Sequence, residues 1–277
     1  MKIMNNGVIA LWRRIFGDNE EFIREFYDGF DTCGNVFGAY RENDGEIRCT
    51  SSATGCENEN IIGLINRIPM TVRTGGNTYE GKYIFAGCVD PDYRRRGLYR
   101  ILTERANAAT AFTALIPSEP WLFDLYRRLG YRPMMGTPYP AMLPEGVTEH
   151  VRLEPYDGDF EQLYGLYTAG DERAFVQRHF YKLFNREFIN GGCVYYVHNC
   201  RGERIGYIIY EKTDENCIKI YDMYCPLGLC DGIISIEIAL SDQKHEKGLM
   251  FGLDGVLAPA LNMLGENEEP LYKLSLL

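Results

Sequence analysis

Long apolar runs and paired cysteine motifs are both missing from this sequence of 277 residues. No stretch approaches the ~18 consecutive apolar residues that mark a transmembrane helix, so we expect no membrane span. The first 17 residues hold only a brief apolar run at 8–12, followed by Arg13 and Arg14, which is not the pattern of a signal peptide. The nine Cys are scattered without CxxC spacing, which favours reduced thiols in a cytoplasmic protein.

An excess of basic charge is also lacking. The formal net charge is −10, and its distribution is uneven: residues 1–140 hold 17 Lys+Arg and 17 Asp+Glu, whereas residues 141–277 hold 12 and 22. A nucleic-acid binder normally shows a basic face over much of a domain. The one dense basic run here is Arg94, Arg95, Arg96 and Arg100, which suits an anionic small molecule better, so we expect no nucleic-acid partner.

Several catalytic signatures are absent as well. The sequence has no GxxxxGK(S/T), GxGxxG or GxSxG motif, so nucleotide hydrolysis, dinucleotide binding and an esterase nucleophile all lack support. The four His lie far apart and form no HExxH or HxxxH motif. Cys225, Cys230 and His245 do not have zinc-ligand spacing. We therefore expect no metal site.

What the sequence does contain is enough apolar surface for folded lobes, with 45% hydrophobic residues. A chain of this length predicts one large or two ordinary domains. Residues 133–144 include four Pro, which disfavour helix and central strand and indicate a linker. We therefore place the two domains at 1–140 and 141–277.

Periodicity in the first half predicts helices that lead into strands. Helical spacing occurs at 8–15 and, after the candidate N-cap pair Asp18 and Asn19, at 22–30. A hairpin is predicted at 36–40 and from 47 onward around Asn43-Asp44-Gly45, followed by strands at 61–72 and 82–89. A helix is predicted after Gly97, then a strand at 112–116.

A last helix in the first half has an apolar stripe that includes Tyr126. Ser118 is its candidate N-cap, Pro120 lies in its first turn, and Gly130 ends it. The second half repeats the order, with helices at 160–167 and 176–184 and strands at 194–198, 204–211 and 218–224. The sequence therefore predicts an α+β protein of two lobes, each a mixed, mostly antiparallel sheet flanked by helices.

The segment 87–99 is the most informative, because it places three Arg and a Gly between a strand and a helix. Free amides and the positive dipole end of a helix attract anions, and a Gly lets a phosphate approach the backbone closely. Taken alone, such a run is more often a solvated loop. Its position after an apolar strand and before an amphipathic helix favours a pyrophosphate site.

These residues match a known signature. Arg94–Gly97 after a strand and before a helix fit (R/Q)xxGx(G/A), and Tyr126 precedes the Gly130-Tyr131 pair, so residues 1–133 resemble the GNAT superfamily of acyl-CoA-dependent N-acyltransferases. Residues 11–18, residues 116–121 and the second lobe are similar to a bacterial branch with tandem GNAT units, to which the enhanced-intracellular-survival acetyltransferases are also similar.

The resemblance implies acetyl-CoA as the acyl-donor cosubstrate. The amides of residues 96–99 would hold the CoA pyrophosphate, the neighbouring Arg side chains would supply charge, and the strand 87–89 would pair with the pantetheine amides. The implied donor-binding residues are Gly87, Cys88, Val89, Arg94, Arg95, Arg96, Gly97, Leu98, Tyr99 and Ser118.

Two departures from the family pattern carry expectations of their own. Tyr99 stands where the signature has a small residue, and its bulk is expected either to crowd the phosphate or to turn outward. In the second lobe no RxxGx(G/A) follows the strand 218–224; residues 225–228, Cys-Pro-Leu-Gly, stand there instead. We therefore expect a degenerate second GNAT-like lobe that does not bind CoA.

Direct acyl transfer to an amine needs a neutral amine, a polarised carbonyl and a proton for the departing thiolate. Tyr126 is the candidate acid, and the alternative is a core tyrosine with a satisfied hydroxyl. Candidate bases are Glu46, Glu80 and the carboxylate of Leu277. Cys88 is either a small core residue or a thiol exposed to the acyl donor.

The expected function is therefore an acyl-CoA-dependent N-acetyltransferase with one working site. The acidic second half suggests a cationic acceptor, a small-molecule or peptide amine, because clefts of one sign concentrate the opposite charge. A surface that is acidic only for solubility explains the same composition. The alternative function is a non-catalytic CoA-responsive or protein-interaction module. The sequence predicts no oligomeric state.

Overall fold

The computed structural model describes residues 5–29, 31–53, 60–74, 76–108, 110–135, 152–170, 173–214, 217–224, 255–257 and 273–274. The chain divides into two units. The first comprises Met1–Thr71, Tyr79–Pro133 and Gly255–Glu266, and the second comprises Val72–Thr78, Met134–Asp254 and Asn267–Leu277. A division into separate domains at residue 140 stays a prediction.

Two amphipathic helices open the first unit, as predicted. Helix α1 (Asn6–Phe16) begins at Asn5, whose side chain accepts a hydrogen bond from the Gly7 amide, and ends at a left-handed Gly17. Helix α2 (Glu20–Asp28) begins at Asn19, whose Oδ1 accepts from the Phe22 amide at 2.7 Å. The polar N-caps therefore mark where each helix begins, and each helix buries its apolar residues.

The buried face of these helices is aromatic. Trp12 is fully buried and donates its indole N–H to Asp18 Oδ2 at 2.7 Å. Its ring lies edge-on to Phe26, with centroids 5.0 Å apart, and against Phe85 at 6.0 Å. Such pairs add to the free energy gained from burial alone.

The first unit contains all or part of seven strands, and two further helices, in its described part. The strands are β1 (Val36–Arg41), β2 (Ile47–Thr50), β3 (Ile61–Thr74), β4 (Asn77–Val89), β5 (Thr113–Leu115), β6 (Arg132–Met135) and, from late in the chain, β12 (Gly255–Leu257). The helices are α3 (Leu98–Asn107) and α4 (Pro120–Arg128).

The sheet of this unit is mixed and mostly antiparallel. β1 pairs antiparallel with β2 and with β3, and β3 lies beside β4. β4 pairs in parallel with β5, which pairs antiparallel with β12. One face carries α3 and α4, whose residues Leu98, Leu102 and Tyr126 join the apolar core with Ile65 and Ile84. The predicted fold class is confirmed.

Two predictions about this region were wrong. Residues Arg132–Met135 form β6, although a linker was predicted from Pro133. β6 lies at the end of the strand order, and an edge strand tolerates Pro because its N–H side needs no partner. The remaining predicted linker, 136–144, lies outside the described residues. The N-cap of α4 is Glu119 and not Ser118, because the residue before Pro120 is driven to an extended conformation.

The second unit has its own antiparallel sheet. The strands of this unit are β7 (Arg152–Pro155), β8 (Arg173–Val176), β9 (Val194–His198), β10 (Arg204–Asp214), β11 (Cys217–Tyr224) and β13 (Lys273–Leu274). Of these, β7, β9, β10 and β11 form the antiparallel sheet. Its helices are α5 (Phe160–Tyr167), α6 (Arg178–Phe184) and α7 (Arg186–Asn190). The sheet order is β11-β10-β9-β7, and β13 pairs in parallel with β8. The predicted strands at 194–198, 204–211 and 218–224 are confirmed.

The helix predicted at 176–184 is confirmed as α6, but it starts at Arg178 and not at Val176, because Arg173–Val176 form a buried strand. Arg173 is 2% exposed and donates to the Tyr207 hydroxyl at 2.7 Å, and that hydroxyl donates to Asp222 at 2.5 Å. Burial alone lowers the pKa of Arg173, but Tyr207 and Asp222 raise it, so the guanidinium stays charged. Tertiary contacts therefore decide the conformation of this segment.

Candidate active site

Strands β4 and β5 separate in the middle of the first unit. Their parallel pairing joins Lys82 to Thr113 and Tyr83 to Ala114, and the described residues give no further pair. Beyond this point Ala86 has a φ of 47°, a conformation that L-residues rarely adopt. Within the described chain, the backbone of β4 from residue 84 to Val89 therefore has no pairing with β5.

The start of the loop after β4 is held by Asp90, which is 7% exposed. Its side chain accepts from the Asp92 amide at 3.0 Å, and its own amide donates to the Ile62 carbonyl at 2.8 Å. Arg14 of α1 forms an ion pair with the same carboxylate. The sequence reasoning assigned no role to Asp90 or Arg14, although an Asp-Pro pair after a strand is a signal for a turn.

The residues Arg94–Gly97 carry the loop into α3, and all four are exposed. Arg95 has a φ of 62° and Gly97 a φ of 77°, so the chain turns through two left-handed residues. Gly97 is the N-cap of α3 and provides no side-chain cap for its amides, and a Cβ added there would meet nothing within 4 Å. An open helix terminus with Arg side chains around it is an arrangement that favours anions.

Two of the three Arg also hold the shape of the loop. Arg94 Nε donates to the Val89 carbonyl at 3.2 Å, and Arg96 Nη2 donates to the Asp92 carbonyl at 3.2 Å. The Arg96 guanidinium also lies 5.0 Å from the centre of the Tyr93 ring. Arg95 makes no hydrogen bond or ion pair within the described chain, so its guanidinium is available for a ligand.

Tyr99 neither turns outward nor faces the loop, which corrects the expectation from the sequence. Its hydroxyl lies 2.8 Å from the Tyr126 hydroxyl. A Cβ on Gly87 would lie only 2.7 Å from that same Tyr99 oxygen, so glycine on β4 makes room for the ring. The side chain points inward because Leu98 and Leu102, on the same side of α3, are buried in the core.

Tyr126 projects from α4 into the core and is 8% exposed. Its ring meets Tyr131 edge-on at 5.6 Å and Tyr99 at 6.2 Å. Burial raises its pKa, and the hydrogen bond from Tyr99 lowers it in part. The hydroxyl therefore faces inward and is protonated at neutral pH, as a proton donor requires. Its catalytic role stays a prediction.

Two more buried tyrosines complete a group that we call the tyrosine cluster: Tyr83, Tyr99, Tyr126 and Tyr131. The Tyr131 hydroxyl donates to Asn107 Oδ1 at 2.8 Å and lies 3.0 Å from Thr113 Oγ1. Burial raises the pKa of Tyr131 to about 12. Burial also raises the pKa of Tyr83, with a further contribution from Tyr126. Sequence reasoning identified only Tyr126 as a candidate for chemistry.

The structure separates the two interpretations of Cys88. Its side chain is 6% exposed, and burial raises its pKa to about 12. The nucleophilic form of cysteine is the thiolate, which is negligible at neutral pH with such a pKa. Cys88 is therefore a small core residue, and the transfer of an acyl group through this thiol has no support.

The candidate bases Glu46 and Glu80 contact residues outside the tyrosine cluster. Glu46 is exposed in the β1–β2 turn, 3.6 Å from Arg48. Its carboxylate lies within 4.8 Å of those of Glu42 and Asp44. Glu80 is exposed and accepts from Thr71 Oγ1 at 3.0 Å. Leu277 lies outside the described residues.

A polar cavity of about 460 Å³ opens beside the Asp90 end of the loop. It is lined by α1, the β1–β2 turn and the start of β3, with Arg14, Arg41, Glu42, Asp90 and Tyr93 contributing polar atoms. The sequence did not predict this cavity, because its walls come from four separate segments.

Among the described helices, none is both long and apolar enough to cross a membrane.

Comparison with known proteins gives a match for the first unit. Residues 5–134 match the family described as Acetyltransferase (GNAT) domain. Among curated proteins, no relative matches this sequence.

Several solved structures share the fold at low sequence identity. Eis1 from Mycobacterium abscessus is 14% identical, with a TM-score of 0.54 over 92% of this chain and 62% of that chain. A probable N-acyltransferase from Enterococcus faecalis is 14% identical, with a TM-score of 0.55 over 91% and 68%. A GCN5-related N-acetyltransferase from Anabaena variabilis is 17% identical, with a TM-score of 0.54 over 97% and 68%. This chain therefore spans about two thirds of the length of these proteins.

Proposed function

We propose that this chain, whose residues 5–134 match the GNAT acetyltransferase family, transfers an acetyl group from acetyl-CoA to an amine. One observation carries the proposal. The uncapped terminus of α3, with its Arg residues, directly follows the part of β4 that has separated from β5. The helix terminus therefore suits a phosphate group, and the adjacent backbone of β4 suits an extended amide chain.

The donor-binding residues divide by the part of CoA that each would hold. The amides of residues 96–99 suit the pyrophosphate, where the open space at Gly97 admits an oxygen close to the backbone. Arg94 and Arg95 add positive charge. The backbone of Gly87, Cys88 and Val89 suits the amides of pantetheine. Acetyl-CoA supplies the thioester, and Ser118 remains an exposed candidate contact ahead of α4.

The reaction needs no covalent enzyme intermediate. The lone pair of a neutral amine attacks the thioester carbon, the new N–C bond forms, and the C–S bond breaks with its electron pair on sulfur. Tyr126 gives its phenolic proton to the sulfur, which leaves as a thiol, and the nitrogen loses one proton to a base or water. Tyr126 then takes a proton back from solvent. Candidate bases are Glu46, Glu80 and the carboxylate of Leu277.

We place the acceptor among cationic amines, either small molecules or peptides. The second half of the chain has 22 Asp+Glu against 12 Lys+Arg, and a surface of one sign concentrates ligands of the other. We also propose that the second unit is a degenerate GNAT-like lobe, because no Arg-Gly motif follows the strand that ends at Tyr224.

The test is a turnover assay with the full chain, acetyl-CoA and a panel of cationic and neutral amines, which follows release of free thiol. We expect thiol release that depends on the amine and an acetylated product by mass spectrometry. The second candidate is a non-catalytic CoA-responsive or protein-interaction module, favoured by the position of the Tyr99 hydroxyl against Gly87. CoA binding in calorimetry without turnover on any amine would support that candidate instead.

A further inference from the structure

Two tyrosine hydroxyls meet at the centre of the candidate site. Tyr99, from the first turn of α3, and Tyr126, from α4, have their oxygens 2.8 Å apart, and either can be the donor. Tyr126 belongs to the apolar core, and Tyr99 is partly buried against it. The direction of this hydrogen bond therefore decides where each phenolic proton points.

The surroundings of the two hydroxyls differ. The Tyr99 oxygen is confined against Gly87, where even a methyl group would come within 2.7 Å. The shared hydrogen bond lowers the pKa of Tyr126 and raises that of Tyr99, whose pKa burial already raises well above its ordinary value. Because the proposed reaction gives the Tyr126 proton to sulfur, that proton is not donated to Tyr99, and Tyr99 is the donor in the hydrogen bond that joins the two oxygens at 2.8 Å.

We infer that Tyr99 is a positioning residue, whose hydroxyl donates to Tyr126 Oη and so directs the Tyr126 proton toward the sulfur of the donor. This inference rests on the proposed function. When Tyr126 gives its proton to sulfur, the O–H bond breaks, the S–H bond forms, and the negative charge remains on the Tyr126 oxygen. The Tyr99 hydroxyl keeps its own proton and stabilises that charge as a hydrogen-bond donor.

The test compares three conservative variants of the full chain: Tyr99→Phe, Tyr126→Phe and Tyr131→Phe. Tyr131 is the matched control, because it is buried in the same cluster and touches the Tyr126 ring, but its hydroxyl bonds to Asn107 and Thr113. Each variant is assayed for kcat and for KM for acetyl-CoA across pH, with the most active amine of the panel. The melting temperature is recorded for each.

We expect Tyr99→Phe to lower kcat about tenfold, the scale of losing one hydrogen bond to a developing charge, with KM for acetyl-CoA unchanged within twofold. The pH at which kcat falls in alkali should be higher in this variant. The Tyr126 phenolate has lost a hydrogen-bond donor, so the pKa of Tyr126 is higher. Tyr131→Phe keeps the kcat and the pH profile of the wild type. A purely structural Tyr99 leaves the pH profile in place, which overturns the inference.

A second measurement does not depend on activity. Tyrosines labelled with ¹³C at Cζ are titrated by NMR, with the Tyr99 and Tyr126 signals identified through the Phe variants. We expect Tyr126 to ionise before Tyr99 in the wild type and at higher pH in Tyr99→Phe. The opposite order overturns the inference. Where Tyr99→Phe fails to fold, Tyr126→Phe identifies the Tyr126 signal, and the Tyr99 signal is identified by its through-space contact with Tyr126.

The outcomes separate this inference from the proposed function. If Tyr126→Phe loses activity while Tyr99→Phe does not, the acetyltransferase stands and the role of Tyr99 is wrong. If Tyr99→Phe binds CoA more than tenfold tighter at unchanged kcat, Tyr99 obstructs the donor, and the positioning role is also wrong. If the wild type turns over no amine, the proposed function fails, and the NMR titration still decides which hydroxyl donates.

Discussion

The hydroxyl of Tyr126 is the group on which the proposed chemistry depends most directly. We predict that Tyr126→Phe lowers kcat by about 100-fold, the range usual for losing a positioned proton donor. Phe keeps the ring and its contacts with Tyr99 and Tyr131, so the melting temperature and the Kd for CoA stay close to the wild type. Steady-state kinetics, thermal unfolding and calorimetry measure the three quantities.

The control for this prediction is Tyr131→Phe, which removes a buried hydroxyl from the same cluster. A Tyr126→Phe variant with the kcat of the wild type would show that another group or water protonates the thiolate. A loss of several kcal/mol of stability together with activity would indicate that the hydroxyl holds the core together.

The loop Arg94–Gly97 is the part of the molecule that we propose to recognise phosphate. We predict that Arg95→Ala combined with Arg96→Ala weakens CoA binding about tenfold or more, because charge-assisted hydrogen bonds are roughly twice as strong as neutral ones. Pantetheine, which has no phosphate, binds with unchanged affinity. Calorimetry with both ligands measures the difference.

The matched control for the loop is Arg13→Ala combined with Arg24→Ala. Both residues are exposed on the opening helices, so this variant has the same change of net charge. It should bind CoA like the wild type. Equal losses for CoA and pantetheine in the loop variant would assign the loop a different role.

Helix α3 is fixed at its other end by Arg67 of β3. Its Nη1 donates to the carbonyls of Ala106 at 2.6 Å and Ala108 at 3.2 Å, and its Nη2 donates to the Gly34 carbonyl. A cation there satisfies terminal carbonyls and complements the helix dipole. We predict that Arg67→Met lowers the free energy of unfolding by about 2 to 3 kcal/mol, because buried carbonyls lose their donors.

Denaturant unfolding measures this loss, and Arg105→Met is its control. Arg105 lies in the last turn of the same helix and is exposed, with one bond to the Cys49 carbonyl at 3.0 Å. Its substitution should cost less than about 1 kcal/mol, because solvent replaces the bond. Equal costs for the two variants would contradict the assigned role of Arg67.

For the molecule as a whole, stability should decline in alkali. Burial raises the pKa of every member of the tyrosine cluster and of Tyr27 above the ordinary value of 10.0. A folded state that holds these protons more tightly than the unfolded chain is fully stabilised below pH ~10 and loses that contribution as pH rises further.

We therefore predict a melting temperature that falls steeply above pH ~10, with no loss from these groups between pH 7 and 9. Thermal unfolding across this range, with absorbance of phenolate as a second signal, checks the sign. Tyrosines that ionise fully before unfolding begins would contradict it.

The whole chain should bind one CoA. The Arg-Gly loop occurs once, in the first unit, and residues 225–228 replace it after the strand that ends at Tyr224. Isothermal titration should give a stoichiometry of one per chain, and this one site should be weakened in the Arg95→Ala, Arg96→Ala variant. Two equivalent sites would contradict the proposal of a degenerate second unit.

Local signals explain which elements could be predicted. Asn19, Gly97 and Gly130 act through their own backbone or side-chain chemistry, and the helices next to them were predicted from sequence. β8 and β6 were not, because a buried Arg173 and an edge position for Pro133 depend on distant partners. The same reason applies at the site: the Arg-Gly loop is contiguous, but the contact of Tyr99 with Gly87 and Tyr126 joins three separate segments.

The two tryptophans differ in their surroundings. Trp12 is fully buried among aromatic rings, whereas Trp121 is 66% exposed on the first turn of α4. Indole fluorescence shifts to shorter wavelengths in apolar surroundings, so the protein contains one emitter for its core and one for its surface. In Trp121→Phe the remaining Trp12 emits at shorter wavelength and reports folding of the first unit. In Trp12→Phe the remaining Trp121 emits at longer wavelength and lies five residues from Tyr126. The molecule thus has its own optical probe for ligand arrival at α4.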